Sequence, residues 1–197
     1  MMQYQNLEGQ TPLDEEEKLD LIPSILLRED LNAFEQQNII EARAWIMQKT
    51  VFSRHDLFSE KFLLLLHQRM YRNVWRWAGK YRRTNKNIGC DYYVIQVELR
   101  KLLDDVRYWI NNKTFNMTEL AIRTHHRLVK IHLFPNGNGR HARLYADVII
   151  AKYRGDKLTW GSGNNLVKPD VTRNRYIEAL RLADIGDYKE LFDFARS

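Results

Sequence analysis

The sequence predicts a mainly α-helical fold, with the helices packed as a bundle in a single domain. Apolar residues recur at steps of three and four through 28–49, 97–111 and 120–131, which is the spacing of one helix face. The chain has 197 residues, of which 44% are hydrophobic and 28% are charged. This length and composition suit one globular domain with a sizeable core.

Residues 1–27 are predicted to form an N-terminal extension, and residues 28–197 a single domain. The extension contains the acidic run 14–17 and ends near Pro23, so little regular structure is expected there. From 28 to 49 the apolar residues cover one broad helix face: Leu31, Phe34, Ile39, Ala42, Trp45 and Ile46. This segment is the first predicted helix of the domain.

A second helix is predicted to open at Asp56 or Ser59 and to run to Trp75. Gly79 follows at a position where a left-handed C-terminal cap is expected. The segment 81–95 then combines β-branched and aromatic residues with a cluster of asparagine, lysine and glycine. That composition predicts a short, irregular β-hairpin.

The second half of the chain is predicted to be helical apart from its loops. A helix over 97–111 is followed by another that begins at Thr114 or Thr118. The run 144–151 leaves almost no polar face, as expected of a buried helix. A glycine-rich loop at 161–165 precedes the last helical part of the chain.

The composition excludes several classes of protein. No apolar run reaches the ~18 residues needed to cross a membrane, and the N-terminus lacks the basic and apolar regions of a signal peptide. A single cysteine, Cys90, excludes an internal disulfide and is typical of the reducing cytoplasm. We therefore expect a cytoplasmic protein without a membrane partner.

The net charge of +6 favours polyanionic ligands. The basic residues are dispersed along the chain, and no helix-turn-helix, zinc-finger or RNA-binding signature accompanies them. A nucleotide is therefore a better candidate ligand than a nucleic acid.

A polar stretch links the amphipathic helix over 120–131 to the predicted buried helix. Backbone N–H groups at a helix start attract phosphate, and the helix dipole adds to that attraction. Two glycines permit a tight turn and a close approach to a ligand, while Asn138 can cap the helix or adopt left-handed geometry. Arg140 and Arg143 would lie on one side of the first turn, which suits two neighbouring phosphates.

This stretch resembles the signature of the Fic-domain (Fic/Doc) family, His-x-Phe-x-Asp/Glu-Gly-Asn-Gly-Arg-x-x-Arg. The matching residues are His132, Phe134, Gly137, Asn138, Gly139, Arg140 and Arg143. The chain departs from the signature at Asn136, where the family usually has an acid. A second run, Trp77-Ala78-Gly79-Lys80-Tyr81-Arg82, is also similar to the family, and the resemblance spans about residues 50–185.

A finer resemblance is to short bacterial members of the family called mobile mystery protein B. They also have asparagine at the position of Asn136. The opening Thr11-Pro12-Leu13-Asp14 and the ending from Ala183 to Tyr188 are similar to theirs. The resemblance therefore marks Asn136 as a trait of a subgroup.

The family resemblance implies a Fic-type helical bundle with a small β-hairpin flap beside the active-site loop. It also implies a protein adenylyltransferase that moves AMP from ATP, with Mg²⁺, to a Ser, Thr or Tyr hydroxyl of a target protein. The flap is expected at about 87–94. There Ile88, Gly89, Tyr92 and Tyr93 would hold the target as an added strand.

The resemblance also assigns a role to the residues before the arginines. His132 is the candidate base, because an imidazole titrates near neutrality and can take the proton of a hydroxyl. Phe134 is expected to support the loop from the core. The backbone N–H groups of Gly137, Asn138 and Gly139 would form an anion hole.

By resemblance, Arg140 holds the β-phosphate and Arg143 the γ-phosphate, with a surface salt bridge as the alternative for Arg143. Asn136 stands at the metal position, but Mg²⁺ prefers charged oxygen ligands and an amide brings no charge. Three consequences are open: weaker metal binding with retained transfer, a changed donor or phosphate orientation, or loss of transfer.

Two alternatives to AMP transfer remain open, because Asn136 departs from the signature and because family members differ in the group that they transfer. One is a toxin-type phosphotransferase in a toxin–antitoxin pair, with an antitoxin-like protein as its regulator. The other is a catalytically altered module that binds a nucleotide or a phosphorylated ligand without chemistry.

Many family members carry an inhibitory helix, Ser/Thr-x-x-x-Glu-Gly/Asn, whose glutamate pairs with the second arginine of the signature. The nearest match is Leu31-Asn32-Ala33-Phe34-Glu35-Gln36, in which Leu31 replaces the hydroxyl residue. Glu35 is therefore the candidate inhibitory residue, with Arg143 as its expected partner. An ordinary helix-surface acid is the alternative.

Overall fold

The computed structural model describes residues 14–23, 28–161 and 171–197, and these ranges are mainly helical. The helices are α1 (Glu15–Leu19), α2 (Arg28–Ile46), α3 (Lys49–Arg54), α4 (Glu60–Tyr71), α5 (Ile95–Asn111), α6 (Met117–Ile131), α7 (Asn138–Tyr153), α8 (Val171–Asp184) and α9 (Lys189–Arg196). A 3₁₀ turn, Tyr92–Val94, leads into α5. The mainly α prediction is confirmed.

Helix α7 lies at the centre of the bundle and packs most extensively on α6. Its side chains from His141 to Ile150 are buried, with Arg143 as the half-buried exception. The apolar run that predicted a buried helix is thus confirmed. Because burial of apolar surface stabilises at ~25 cal/mol per Å², α7 is firmly anchored and its N-terminus has a fixed position.

The remaining helices surround this pair. Helix α5 packs on α6, α2 packs on α4, and α8 packs on α9. Helix α4 also contacts α7. These contacts bring α2, α4, α6 and α8 around the start of α7, where the polar loop lies.

Two helices begin at residues whose side chains cap them. Ser59 accepts an amide of the first turn of α4 at 3.2 Å, which confirms one of the two predicted starts. Asn116 caps α6 in the same way at 2.9 Å. The predicted starts at Thr114 and Thr118 were each two residues from this cap, because the sequence offers several side chains of capping type in a row.

Helix α4 ends at Tyr71, four residues before the predicted end at Trp75. Trp75 instead forms an isolated antiparallel bridge with Leu21. Backbone groups that pair with the N-terminal segment cannot also continue a helix. Gly79 is left-handed, with φ of 78°, as expected, but it ends a later turn and not α4.

The β-hairpin predicted for 81–95 is not confirmed, since the described residues contain no strand. The segment is irregular from 81 to 91 and enters the 3₁₀ turn directly. Two of its carbonyl groups accept hydrogen bonds from a side chain and not from a neighbouring strand: the guanidinium of Arg82 donates to the carbonyls of Thr84 and Cys90. The Thr84 and Cys90 carbonyls are thus not available for pairing within a hairpin.

Much of the predicted N-terminal extension (1–13 and 24–27) lies outside the described residues, as does most of the glycine-rich loop at 161–165. The division into an extension and one domain over 28–197 stays a prediction. In the parts of the chain that the structure describes, no helix combines the length and the apolar character needed to cross a membrane.

Candidate active site

The turn between α6 and α7 is held by its own side chains. His132 ends α6 in the left-handed conformation, with φ of 60° and ψ of 67°, a geometry that costs an L-residue roughly 1–2 kcal/mol. Asn138 accepts the Phe134 N–H at Oδ1 (2.9 Å) and donates from Nδ2 to the Phe134 carbonyl (2.8 Å). This pair of hydrogen bonds closes the turn.

Gly137 and not Asn138 is the left-handed N-cap of α7, with φ of 79°. A Cβ at this position would lie 2.5 Å from the hydroxyl oxygen of Tyr71. Both the backbone angle and the close approach therefore require glycine. The side chain of Asn138 braces the turn from within, and its backbone opens the helix.

His67 on α4 supports the loop from below, a role that sequence reasoning missed. Its Nδ1 accepts the Gly79 N–H (2.9 Å), so Nε2 carries the hydrogen and donates it to the Asn136 carbonyl (3.1 Å). Its ring stacks on Phe134 with centroids 3.6 Å apart. Burial is the main reason that the pKa of His67 is well below its usual value, so the ring stays neutral.

One cavity joins most of the residues predicted from the sequence. Its lining includes Glu35, Ile88, Gly89, His132, Asn136, Gly137, Asn138, Gly139, Arg140 and Arg143. Phe134 lies beneath the loop and is fully buried, in the supporting position expected of it. Tyr92 and Tyr93 do not line this cavity, and lie on the 3₁₀ turn with 45% and 69% of their surface exposed.

Arg140 is engaged by Glu35, a contact predicted for the other arginine. The Arg140 Nη1 and Glu35 Oε2 atoms are 2.7 Å apart, and Glu35 is only 6% exposed. Oε1 of Glu35 also accepts the indole N–H of Trp75 at 2.8 Å. The prediction that Glu35 pairs with Arg143 was wrong, because the first turn of α7 directs Arg140 over the Tyr71 ring on the α4 side.

Arg143 extends toward α8. Its guanidinium lies 5.1 Å from the ring centroid of Tyr176 and donates to the Tyr176 hydroxyl. That hydroxyl is 2.9 Å from Nε2 of His125. Burial, then the charge of Arg143, hold the pKa of His125 well below its usual value, so the neutral ring can accept the hydroxyl hydrogen. The three side chains form one hydrogen-bonded series that fixes the direction of Arg143.

The imidazole of His132 is buried, and its pKa is lowered to about 3. Burial is the largest cause, and the positive charges of Arg82 and Lys86 add to it, whereas the backbone of Val129 favours the protonated form. The ring is therefore neutral at physiological pH, which is the state a proton acceptor needs. A bound polyphosphate would raise this pKa through its negative charge.

Asn136, at the predicted magnesium position, is poorly oriented to bind the ion. Oδ1 of Asn136 accepts the Gly137 N–H at 2.6 Å and is thus turned toward its own backbone. In the described ranges, no three His, Cys, Asp or Glu side chains group so that they could hold a metal ion. These residues do not fit a protein-built Mg²⁺ site, which normally includes charged carboxylate oxygens.

Arg82 is a second residue whose role sequence reasoning missed. It is 2% exposed, and its guanidinium donates to the carbonyls of His132 (2.6 Å), Thr84 (2.9 Å), Cys90 and Ile131 (3.4 Å). Its position in the run Trp77 to Arg82 was the only signal available in the sequence.

Helix α1 is fastened to the irregular segment through Lys86. The Lys86 ammonium, on a side chain only 2% exposed, lies 2.8 Å from Asp14 Oδ2 and 2.7 Å from Glu17 Oε2. Thr84 donates to the same Asp14 oxygen at 2.6 Å. The acidic run at 14–17 thus holds helix α1 against the irregular segment.

Cys90 lines the same cavity and is half-buried. Its Sγ donates to the Ile131 carbonyl at 3.4 Å, and burial raises the pKa of the thiol. The neutral form of the thiol is therefore favoured.

A comparison with protein families matches residues 57–150 to the Fic/DOC family. This span runs from just before α4 to near the end of α7 and includes the whole loop. The chain carries a Fic/DOC family domain. The resemblance found in the sequence is confirmed at the level of the family.

The Fic/DOC domain is similar to curated animal proteins that are more than twice as long as this chain. Protein adenylyltransferase fic-1 of Caenorhabditis elegans is 31% identical over 140 residues, which are 68% of this chain and 26% of that protein. Protein adenylyltransferase Fic of Aedes aegypti is 24% identical over 159 residues, 79% of this chain and 30% of that protein. The chain thus spans less than a third of the length of these relatives.

Solved structures also resemble the Fic/DOC domain. A fragment of Fic-1 from C. elegans matches with a TM-score of 0.64 and 25% identity, over 92% of this chain and 52% of that one. BepC of Bartonella tribocorum, solved with bound AMPPNP, matches with a TM-score of 0.67 and 16% identity, over 93% and 97% of the two chains. The second likeness extends the fold over nearly the whole of both chains.

Proposed function

We propose that the protein is an adenylyltransferase that moves AMP from ATP to a hydroxyl side chain of a target protein. One observation carries the proposal. A neutral buried imidazole, a helix N-terminus and two arginines line the same cavity: His132, the start of α7, Arg140 and Arg143. The names of the curated relatives, protein adenylyltransferases, support the reaction class. AMPPNP bound to BepC supports ATP as the donor.

In the proposed reaction, His132 accepts the proton of the target hydroxyl. The hydroxyl oxygen then bonds to the α-phosphorus, the bond from that phosphorus to the bridging oxygen breaks, and pyrophosphate leaves. The N–H groups of Asn138 and Gly139, and that of Gly137 once it leaves Asn136 Oδ1, would stabilise the developing negative charge. Arg140 would hold the β-phosphate, and Arg143 the γ-phosphate, through charge-assisted hydrogen bonds.

The target would lie along residues 87–94, at the end of the irregular segment and in the 3₁₀ turn that follows it. Ile88 and Gly89 line the cavity next to His132, so a hydroxyl that enters there would meet the imidazole. Tyr92 and Tyr93 would contact the target farther from the reacting atoms, because they are exposed on the outer turn. An extended Ser, Thr or Tyr segment is the proposed substrate, paired with the backbone of this segment as an added strand.

The proposed Mg²⁺ would accompany the nucleotide, and Asn136 would offer it an oxygen only after Oδ1 leaves the Gly137 N–H. When bound, the ion would neutralise phosphate charge. No step of the reaction is assigned to it, because the Asn136 oxygen faces the Gly137 N–H and brings no charge.

Glu35 is proposed to be inhibitory through Arg140. The Glu35 carboxylate lies 2.7 Å from the Arg140 guanidinium, which is the group that would hold the β-phosphate. ATP would then bind fully only after Glu35 withdraws, and an antitoxin-like partner that holds α2 would keep the protein inactive. Membership of the mobile mystery protein B subgroup, with a bacterial cytoplasmic setting, belongs to the same proposal and is supported by Asn136 and the single cysteine.

A second candidate is a module that binds a nucleotide without transferring any part of it. Two contacts favour it: Oδ1 of Asn136 accepts the Gly137 N–H, and the Glu35 carboxylate forms an ion pair with Arg140. A phosphotransferase acting from the γ-phosphate is the remaining alternative among enzymes.

The deciding experiment uses ATP labelled at the α-phosphate or at the γ-phosphate, incubated with the protein and a cell lysate. AMP transfer is supported if the α label appears on protein and the His132→Ala variant abolishes it. The γ label alone on protein would establish phosphoryl transfer. Bound nucleotide with neither label on protein, in wild type and in Asn136→Asp, would establish the binding module.

A further inference from the structure

The guanidinium of Arg82 is buried against backbone carbonyls. Within the described residues, no carboxylate lies at ion-pair distance from it; its partners are carbonyls on both sides. Two of these carbonyls belong to Ile131 and His132 at the end of α6, and two belong to Thr84 and Cys90 on the irregular segment. A buried charge needs such compensation.

On the α6 side, Arg82 satisfies groups that the helix leaves free. The last carbonyls of a helix have no partner within it, and a cation at this end is favoured by the helix dipole. The bond to the His132 carbonyl, at 2.6 Å, holds the peptide that follows the left-handed residue. Without this donor, His132 could relax toward ordinary geometry and its imidazole would turn.

On the other side, Arg82 closes the irregular segment onto the histidine. Its bonds to Thr84 and Cys90 draw the two arms of the segment together. Gly89 then packs so closely that a Cβ there would lie 2.6 Å from the His132 Cβ and 2.9 Å from Arg82 Nη2. The segment, the guanidinium and the histidine backbone are in direct contact.

We infer that Arg82 is a positioning residue that holds the base His132 and the stretch from Thr84 to Cys90 in one fixed arrangement. The inference rests on the proposed function for its catalytic consequence, but the arrangement itself is independent of activity. Four carbonyls in different directions need a planar group with several N–H donors. A lysine ammonium at the same place would reach at most part of this set.

The test compares Arg82→Lys with Arg83→Lys, a matched change at the exposed neighbouring position. We expect Arg82→Lys to lower kcat for target modification on the order of a hundredfold, because a misplaced base loses its alignment. The KM for ATP should change less than about threefold, since the phosphate-binding groups are untouched. Arg83→Lys should change neither constant.

A readout that needs no activity separates this inference from the proposed function. Amide hydrogen exchange is followed at Arg82 and Cys90, whose N–H groups donate to the carbonyls of Leu133 and Ile131. In Arg82→Lys both amides should exchange at least about tenfold faster, while core amides of α7 stay protected. Unchanged exchange at these two positions overturns the inference, whether or not the wild type modifies any protein.

Gly89→Ala supplies a second test if Arg82→Lys does not fold. The added methyl group meets His132 and Arg82 from the other side, so it should displace the segment and lower kcat in the same way. Wild-type kcat in Gly89→Ala would overturn the inference, because the close contact would then have no bearing on the base.

Discussion

The Glu35 carboxylate and the Arg140 guanidinium form a buried ion pair at 2.7 Å across the cavity that holds the proposed active site. The second carboxylate oxygen accepts the Trp75 indole N–H, so the acid is fixed from both sides. Removing one member of a buried pair is costly, whereas a phosphate could replace the carboxylate without leaving Arg140 uncompensated. The pair therefore competes with a nucleotide for one arginine.

Glu35→Gln should raise the affinity for a non-hydrolysable ATP analogue while lowering stability. The amide oxygen can still accept the Trp75 N–H, but the charge that competes for Arg140 is gone. We expect affinity to rise on the order of tenfold and stability to fall by about 3 kcal/mol, measured by calorimetry and urea unfolding. Glu41→Gln, an exposed change on the same helix, is the control; equal affinities in all three proteins would remove Glu35 from regulation.

Asn136→Asp tests the departure from the family signature. A carboxylate would keep an oxygen near the Gly137 N–H and add the charge that Mg²⁺ prefers. We expect the Mg²⁺ concentration needed for half-maximal nucleotide binding to fall on the order of tenfold. Asn111→Asp makes the same charge change outside the cavity lining and should have no effect. No shift in metal dependence would show that position 136 is not a metal ligand.

Tyr176→Phe should weaken binding of ATP more than binding of AMP. The variant keeps the ring beneath Arg143 but removes the hydroxyl that joins it to His125. Loss of one such hydrogen bond corresponds to about three- to tenfold in affinity for the triphosphate. Tyr145→Phe, which loses a buried hydroxyl bonded to the Leu57 carbonyl, controls for stability. An equal loss for AMP and ATP would contradict an orienting role through Arg143.

His67→Phe should preserve the stack on Phe134 and yet disturb the phosphate loop. Both backbone groups that His67 satisfies, the Gly79 N–H and the Asn136 carbonyl, would be left buried without it. Each unsatisfied group costs about 1–3 kcal/mol, so both urea stability and nucleotide affinity should fall. His141→Phe, which loses one bond to the Leu63 carbonyl, should reduce stability alone. Full nucleotide affinity in His67→Phe would exclude a loop-positioning role.

Stability should decrease as the pH falls below about 6.5. Five imidazoles have lowered pKa values in the folded protein, those of His67, His125, His126, His132 and His141. Between these values and 6.5 the unfolded chain binds more protons than the folded one, so acid favours unfolding by about 1.4 kcal/mol per pH unit for each such group.

The pH dependence can be checked with one variant. His141 has a pKa lowered to about 4 by burial, and His141→Gln keeps a donor for the Leu63 carbonyl. The slope of the unfolding free energy against pH, from urea unfolding, should be shallower by about one proton in this variant near pH 5, and the difference should be small at pH 7.5. An unaltered slope would mean that His141 does not titrate between the two states.

Local pattern in the sequence was enough for the existence of the main helices and for the position of the loop, but not for all of their ends. Helix α7 follows from an apolar run without a polar face, and its left-handed start follows from glycine at 137. These features depend on neighbours in the chain, and their physical causes are local. The match of residues 132–143 to a family signature then placed the loop in a known chemical context.

Contacts between distant segments were not predictable from the same patterns. Which arginine pairs with Glu35 depends on how α2 is rotated relative to α7. The spacing of residues within α7 does not determine that rotation. The composition of residues 81–95 is typical of a hairpin, whereas the buried Arg82 draws the Thr84 and Cys90 carbonyls inward. His67 lies 69 residues from the loop it supports, and nothing near it in the sequence marks that role.

The single thiol at position 90 makes the protein convenient to label with a probe. Because Cys90 is the only cysteine and is held against the Ile131 carbonyl, a maleimide fluorophore would attach at one site without any engineering. The rate of that alkylation would report how often the stretch around Cys90 moves away from the Ile131 carbonyl. The emission of the attached dye would follow nucleotide binding in real time.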